Sequence, residues 1–136
     1  MNGWIVPAAI AFVTWGLWAF VPKLTTRHLD PRSVLFFQTL GAFVVGLAVL
    51  ASLNFRPALH GPAVGLALLT GALGAIGGLA YVWAIARGPA SLVAVLTALY
   101  PLLTVLLALA FLGETLSARQ WSGIILALVA LALIVG

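Results

Sequence analysis

The sequence predicts an all-α integral membrane protein that crosses the bilayer five times. Three observations predict this fold class. Apolar residue types make up 65% of the 136 residues and charged types 6%, whereas soluble domains average roughly 45–50% and about 25%. The few charged residues leave five long uncharged stretches. Apolar and polar residues do not alternate with period two, and open sheet edges are excluded from lipid, so helices are the expected spanning elements.

The charged side chains divide the chain into segments of membrane-spanning length. A helix needs about 20 apolar residues to cross a hydrocarbon core roughly 30 Å thick, and the uncharged stretches contain 17 to 30 residues. The whole chain, residues 1–136, is therefore predicted to be a single transmembrane unit. Its five helices are expected at about 4–22, 32–52, 63–86, 90–112 and 118–135.

The residues at the start of the second and third helices agree with these boundaries. Asp30 followed by Pro31 is typical of an N-cap with proline at the first helical position. Gly61 and Pro62 open the third helix in a similar way. Both helices therefore have a local start signal.

The later boundaries have signals of their own. The third helix is expected to end before Gly88 and Pro89, because proline cannot continue it. Ser117 and Gln120 have the spacing of a capping box, in which each residue satisfies a backbone N–H of the other. This pair predicts the start of the fifth helix.

Charge and composition exclude several function classes. Six Lys and Arg against two acidic residues give a net charge of +4, but the cations are scattered and form no stripe that could follow nucleic-acid phosphates. The lipid bilayer is their expected contact and no nucleic-acid partner is predicted. Cysteine is absent, and His28 and His60 lie in predicted loops on opposite faces. No enzyme activity, catalytic residue, metal or cofactor is expected.

The fourth helix contains the clearest candidate for a substrate pathway. Thr97, Tyr100, Pro101 and Thr104 are spaced i, i+3, i+4, i+7 and therefore share one face. Pro101 lacks the N–H that the Thr97 carbonyl would accept, so a kink is predicted there. Two hydroxyls, a phenol and a bared carbonyl fit a substrate-lining surface. The alternative is a kink whose free carbonyl is satisfied by a threonine hydroxyl, so that this face of the helix has a packing role alone.

Further pathway candidates lie on the first two helices. Trp15 and Trp18 lie deeper than tryptophans that anchor helices at the membrane interface. Their face of the helix continues towards Lys23. Gln38 is the amide well inside the second helix, and it fits either an interhelical hydrogen bond or a substrate contact. All four residues are predicted to line or flank the path.

The third helix has a face of small residues. Gly71, Gly74 and Gly78 recur along it, and small residues let helices approach closely in lipid. A helix-packing seam is the first interpretation. The alternative is a moving seam or an open wall of a pathway, with Tyr81 seven residues after Gly74 on the same face.

Several motifs resemble a known family. The most specific is the run 90–101, which ends in Tyr-Pro, followed by Leu-Gly-Glu-Thr-Leu at 112–116. Further matches are Trp15-Gly16, Lys23, residues 81–90, Gln120-Trp121 and Gly123. On these residues the chain resembles, over essentially its whole length, the EamA-type unit of the drug/metabolite transporter superfamily.

The resemblance implies an α-helical transporter of small metabolites, amino-acid-like compounds or drugs. Typical members have ten helices in two inverted units, with a central cavity lined by the first, third and fourth helices of each half. This sequence contains one five-helix unit, so a second half is expected from another chain. An antiparallel homodimer is the first expectation, and a parallel dimer or a heterodimer with a related five-helix chain are the alternatives.

The function expected on these grounds is transport of a small organic metabolite by export, facilitated passage or exchange. The bacterial cytoplasmic (inner) membrane is the expected location. The loops expected on the two faces carry four and two cations, a bias small enough to permit insertion in both orientations. The alternatives are a lipid-linked-sugar flippase subunit, a small multidrug exporter and a non-transporting membrane assembly partner.

Overall fold

A computed structural model describes residues 3–135, with side chains described to residue 134. Six helical segments account for most of this part of the chain, and it contains no strand. They are α1 (Ile5–Thr25), α2 (Pro31–Ser52), α3 (Gly61–Arg87), α4 (Ala90–Thr97), α5 (Tyr100–Phe111) and α6 (Ala118–Val135). The predicted all-α fold class is confirmed.

The described helices include four segments that are long and apolar enough to cross a membrane. These are α1, α2, α3 and the segment Ala90–Phe111, which joins α4 and α5 across a short turn. The last helix, α6, is apolar over Ala118–Ile134 but shorter than these four segments. Chain composition and helix length together identify an integral, multi-pass membrane protein.

Local hydrogen bonds explain where α2 begins. The Asp30 carboxylate accepts from the backbone N–H groups of Arg32 and Ser33, at 2.9 and 3.2 Å, so the predicted N-cap is confirmed. The Ser33 hydroxyl also donates to this carboxylate. Because hydrogen bonds from Ser33 and Arg32 favour the charged form, the pKa of Asp30 lies below its usual value.

The capping box predicted before α6 is also confirmed. The Ser117 N–H donates to the Gln120 side-chain oxygen at 2.8 Å, and the Gln120 N–H donates to the Ser117 hydroxyl at 3.4 Å. Two backbone donors at the helix start are thereby satisfied by side chains. The start of α6 is set by these two residues.

The prolines at positions 22 and 101 have different effects on their helices. Pro22 lies inside α1, which continues to Thr25 and so extends beyond the expected end at residue 22. The Pro22 carbonyl accepts from the Thr26 N–H at 2.9 Å and from the Thr26 hydroxyl at 2.8 Å. At Pro101 the helix is interrupted, since α4 ends at Thr97 and α5 begins at Tyr100. The regular helix is therefore broken at residues 98–99, next to the proline at which the sequence predicts a kink.

Contacts divide the chain into two compact units, and the boundary in the sequence lies between Arg87 and Gly88. In the first unit, α3 packs against both α1 and α2; in the second, α4 packs against α6. The most tightly buried side chains of the described residues lie in the first unit, at Pro22, Val34, Tyr81, Val82 and Ile85. Most large apolar side chains elsewhere are exposed, as expected where lipid or another protein surface covers a helix.

Replacing a core residue of α3 should destabilise the first unit. Ile85 has no exposed surface, whereas Ile76 on the same helix is 67% exposed. Ile85→Ala should therefore lower the free energy of unfolding by about 2–5 kcal/mol, because it leaves a cavity. The matched variant Ile76→Ala should cost much less. Unfolding of the purified protein in detergent, followed by circular dichroism, measures both, and equal losses would contradict this packing.

Candidate functional site

A groove runs between α1, α2 and α3 in the first unit. Its volume is about 270 Å³. The lining residues are Trp18 from α1, Leu35, Gln38, Thr39 and Ala42 from α2, and Gly71, Gly74, Ala75 and Gly78 from α3. The groove therefore brings together five of the residues singled out in the sequence: Trp18, Gln38 and the three glycines.

The three glycines have different surroundings. A Cβ atom added at Gly78 would lie 3.7 Å from the Leu35 Cδ1 atom and 3.9 Å from the Trp18 Cζ2 atom, so α3 meets α2 and α1 at this point. A Cβ atom at Gly71 or Gly74 would meet nothing within 4 Å. Gly78 thus lies at a helix contact, while Gly71 and Gly74 border open space in the groove.

The polar groups of the groove belong to α2. The Gln38 Oε1 atom is buried and has no hydrogen-bond partner among the described residues. The Thr39 hydroxyl donates to the Leu35 carbonyl, one helical turn back, at 3.0 Å. No residue that lines the groove is charged. The groove is therefore uncharged and mainly apolar, with two polar side chains, Gln38 and Thr39, in its wall.

Beside the groove, α1 and α3 are joined by two long-range hydrogen bonds. The Tyr81 hydroxyl donates to the Ala19 carbonyl at 2.8 Å, and the Lys23 ammonium donates to the Ile85 carbonyl at 2.8 Å. Lys23 thus reaches the last turns of α3, where carbonyl groups lack helical partners and a cation is favoured by the helix dipole. These bonds fasten the ends of α1 and α3 to each other.

Trp18 takes part both in the contact between α1 and α3 and in the wall of the groove. Its ring stacks on Tyr81, with ring centroids 5.4 Å apart and an angle of 28° between the planes. The same side chain lines the groove. Trp15 is 61% exposed and does not line the groove, so α1 places the two tryptophans in different surroundings.

The pathway candidates of the fourth span lie in the second unit. The Thr97 hydroxyl donates to the carbonyls of Val93 and Ala94, at 2.8 and 3.1 Å. The Thr104 hydroxyl donates to the Tyr100 carbonyl at 3.4 Å, and the Tyr100 side chain is 58% exposed. Both threonine hydroxyls therefore bond to the preceding turn of their own helical segment.

Pro101 contributes to a separate, smaller cavity of about 180 Å³. Its other lining residues are apolar and come from the turn before α5, from α5 and from α6: Ala98, Leu99, Leu102, Val105, Ile124, Ala127 and Leu128. Thr97, Tyr100 and Thr104 are not among them. The break at Pro101 therefore borders an apolar space, and the polar face predicted around it does not line this cavity.

Four residues of the groove were not expected from the sequence: Leu35, Thr39, Ala42 and Ala75. The sequence does contain a pattern that indicates these four residues. Residues 35, 38, 39 and 42 of α2, and residues 71, 74, 75 and 78 of α3, share the spacing i, i+3, i+4, i+7. Each set forms one helical face, and the structure pairs these two faces.

Removing the Tyr81 hydroxyl should weaken the junction of α1 and α3. Tyr81→Phe keeps the buried ring and loses the bond to the Ala19 carbonyl, which should reduce the free energy of unfolding by about 0.5–1.5 kcal/mol. Tyr100→Phe removes an exposed phenol and is the matched control, with a smaller change expected. Denaturation of the purified protein in detergent compares them. If Tyr81→Phe unfolds at the same point as the parent, the bond contributes nothing to stability.

Comparison with known proteins identifies the family. The model of the EamA-like transporter family matches residues 2–136. No curated protein and no solved structure matches the chain. The family match covers nearly the whole sequence and agrees with the apolar helices described above. The chain belongs to the EamA-like transporter family and is a unit of a membrane transporter of the drug/metabolite transporter superfamily.

Proposed function

We propose that this chain moves a small organic metabolite across the membrane, by export, facilitated passage or exchange, together with a second and inverted five-helix unit. The observation that carries the proposal is the groove of the first unit. It lies among membrane-spanning helices, has mainly small and apolar walls, and is lined by two polar side chains, Gln38 and Thr39. Binding sites for small molecules commonly combine apolar walls with a few placed polar groups.

The size of the groove supports the proposal that a second unit completes the site. Pockets that bury a drug-sized molecule have volumes of about 300–1,000 Å³, and this groove has about 270 Å³. A facing unit would supply further walls and would also cover some of the exposed apolar side chains. Inverted repeats around a site near the bilayer midplane are a general transporter design. A second copy of this chain, inserted in the opposite orientation, is the partner proposed.

The chemistry of the groove favours passive or exchange-type transport. Proton-coupled transporters use ionisable side chains within the membrane as relays. The residues that line the groove include no acidic or basic side chain. An uncharged solute can therefore move through the groove without a change in the protonation of the side chains that line it. The cytoplasmic membrane of a bacterium is the location proposed for this activity.

The antiparallel arrangement can be tested by cysteine labelling, because the chain contains no cysteine. His28 and His60 are exposed and lie in the loops before and after α2. In intact cells, His28→Cys and His60→Cys should each react with a membrane-impermeant maleimide in a comparable fraction of molecules. Labelling after permeabilisation gives the total for each. Reaction of one position alone would rule out insertion in both orientations and leave a parallel or heteromeric pair.

Transport through the groove can be tested by filling it. Gly74→Leu places a large side chain in the groove, whereas Gly65→Leu adds the same side chain elsewhere on α3; a Cβ atom meets nothing within 4 Å at either position. Mass spectrometry of the medium should show metabolites released by cells that express the parent chain. Gly74→Leu should abolish this release, and Gly65→Leu should preserve it. Equal release by the two variants at equal membrane levels would refute the pathway.

A further inference from the structure

We infer that one end of the first unit binds the phosphate groups of anionic phospholipids. This end, called the cationic end below, comprises the last turns of α1 and α3, the link at residues 26–30 and the first turn of α2. Its basic side chains are Lys23, Arg27, Arg32 and Arg87. Such binding depends neither on the groove nor on the orientation of the chain in the membrane, so it goes beyond the function proposed above.

The structure brings these basic residues to the same end of the unit. The Lys23 ammonium donates to the Ile85 carbonyl at 2.8 Å, which places the last turn of α1 beside the last turns of α3. Arg87 is the final residue of α3. The short link at 26–30 joins α1 to α2, so Arg32 in the first turn of α2 lies at this end as well.

The positive charge of the cationic end is not balanced within residues 3–87. Its four cations and Asp30 give it a formal charge of +3, whereas the opposite end of this part of the chain carries Arg56 alone. The guanidinium groups of Arg27, Arg32 and Arg87 are exposed, and none forms a hydrogen bond or an ion pair with a described residue. A negatively charged group from outside the chain can therefore pair with them.

Apolar surface at the same end favours a lipid over a free anion. Leu24, Leu29 and Trp83 are 42%, 41% and 38% exposed. The Arg87 guanidinium lies over the Trp83 ring, 5.6 Å from its centroid. Tryptophan and basic side chains near the ends of membrane-spanning helices lie at the level of the lipid headgroups. A phospholipid there offers a phosphate to the guanidinium groups and apolar surface to the exposed ring and leucines.

The net charge of the headgroup determines which phospholipid is preferred. A zwitterionic headgroup carries an ammonium as well as its phosphate, and the cationic end repels that ammonium. Phosphatidylglycerol carries the phosphate without a compensating cation. Basic residues near an anionic membrane surface each strengthen association severalfold, and salt screens this attraction. Phosphatidylglycerol should therefore bind more tightly than phosphatidylcholine, on the order of tenfold.

The experiment compares two lipids with the same acyl chains. Native mass spectrometry of the purified full chain in detergent measures the affinities for dioleoylphosphatidylglycerol and dioleoylphosphatidylcholine. The parent protein should prefer the anionic lipid on the order of tenfold, and equal affinities would overturn the proposal. Inorganic phosphate added at the same concentration as the lipid should leave phosphatidylglycerol bound. Its displacement by phosphate would assign the cationic end to a free anion and would also refute the lipid.

Substitutions test whether the preference arises at the cationic end. Arg27→Gln, Arg32→Gln and Arg87→Gln should each reduce the ratio of the two affinities by about twofold, and the three together should bring it to about one. Arg87→Lys keeps the charge and should keep most of the preference. The matched control Arg56→Gln removes one cation from the opposite end and should leave the ratio unchanged. A preference that survives the triple substitution, or that Arg56→Gln reduces equally, would refute this binding surface.

Discussion

The close approach of α3 to α1 and α2 is the contact on which the described first unit depends. In lipid, association of helices relies on van der Waals packing and interhelical hydrogen bonds, since the surrounding tails are as apolar as the side chains. Gly78 provides the short distance to Leu35 and Trp18, and one turn later the Tyr81 ring stacks on Trp18 and bonds to the Ala19 carbonyl. The buried side chains of Val82 and Ile85 follow on the same helix. The groove begins where this packing ends, at the more open glycines.

How well the sequence predicts a feature of this structure depends on how far apart in the chain the interacting residues lie. Asp30 and the Ser117–Gln120 pair make hydrogen bonds to residues no more than three positions away. The starts of α2 and α6 can therefore be predicted from the sequence, and both are confirmed. The break before Pro101 is local too, because it follows from a missing N–H. The continuation of α1 past Pro22 is not predicted from the sequence. It is accompanied by burial of the proline ring and by hydrogen bonds from the Thr25 and Thr26 hydroxyls to the Pro22 carbonyl.

The groove could be predicted only in part because it depends on which helical faces meet. Gln38 and the glycines stand out as unusual residues in apolar helices, whereas Leu35, Ala42 and Ala75 resemble any other apolar position. Their spacing defines a face on each helix, but the pairing of the two faces is a long-range property. Thr97 and Thr104 show the opposite case. Their spacing suggests a polar surface, yet their hydroxyls donate to carbonyls of the preceding turn, a local competition that hydroxyl side chains in helices often show.

Trp18 belongs both to the groove and to the junction of α1 and α3. One side chain lines the groove and stacks on Tyr81, and Tyr81 in turn bonds to the residue that follows Trp18. An occupant that displaces the Trp18 ring must alter the stacking that holds Tyr81 beside α1. The junction and the groove therefore share the Trp18 ring, and the packing that holds α1 beside α3 also shapes the wall of the groove.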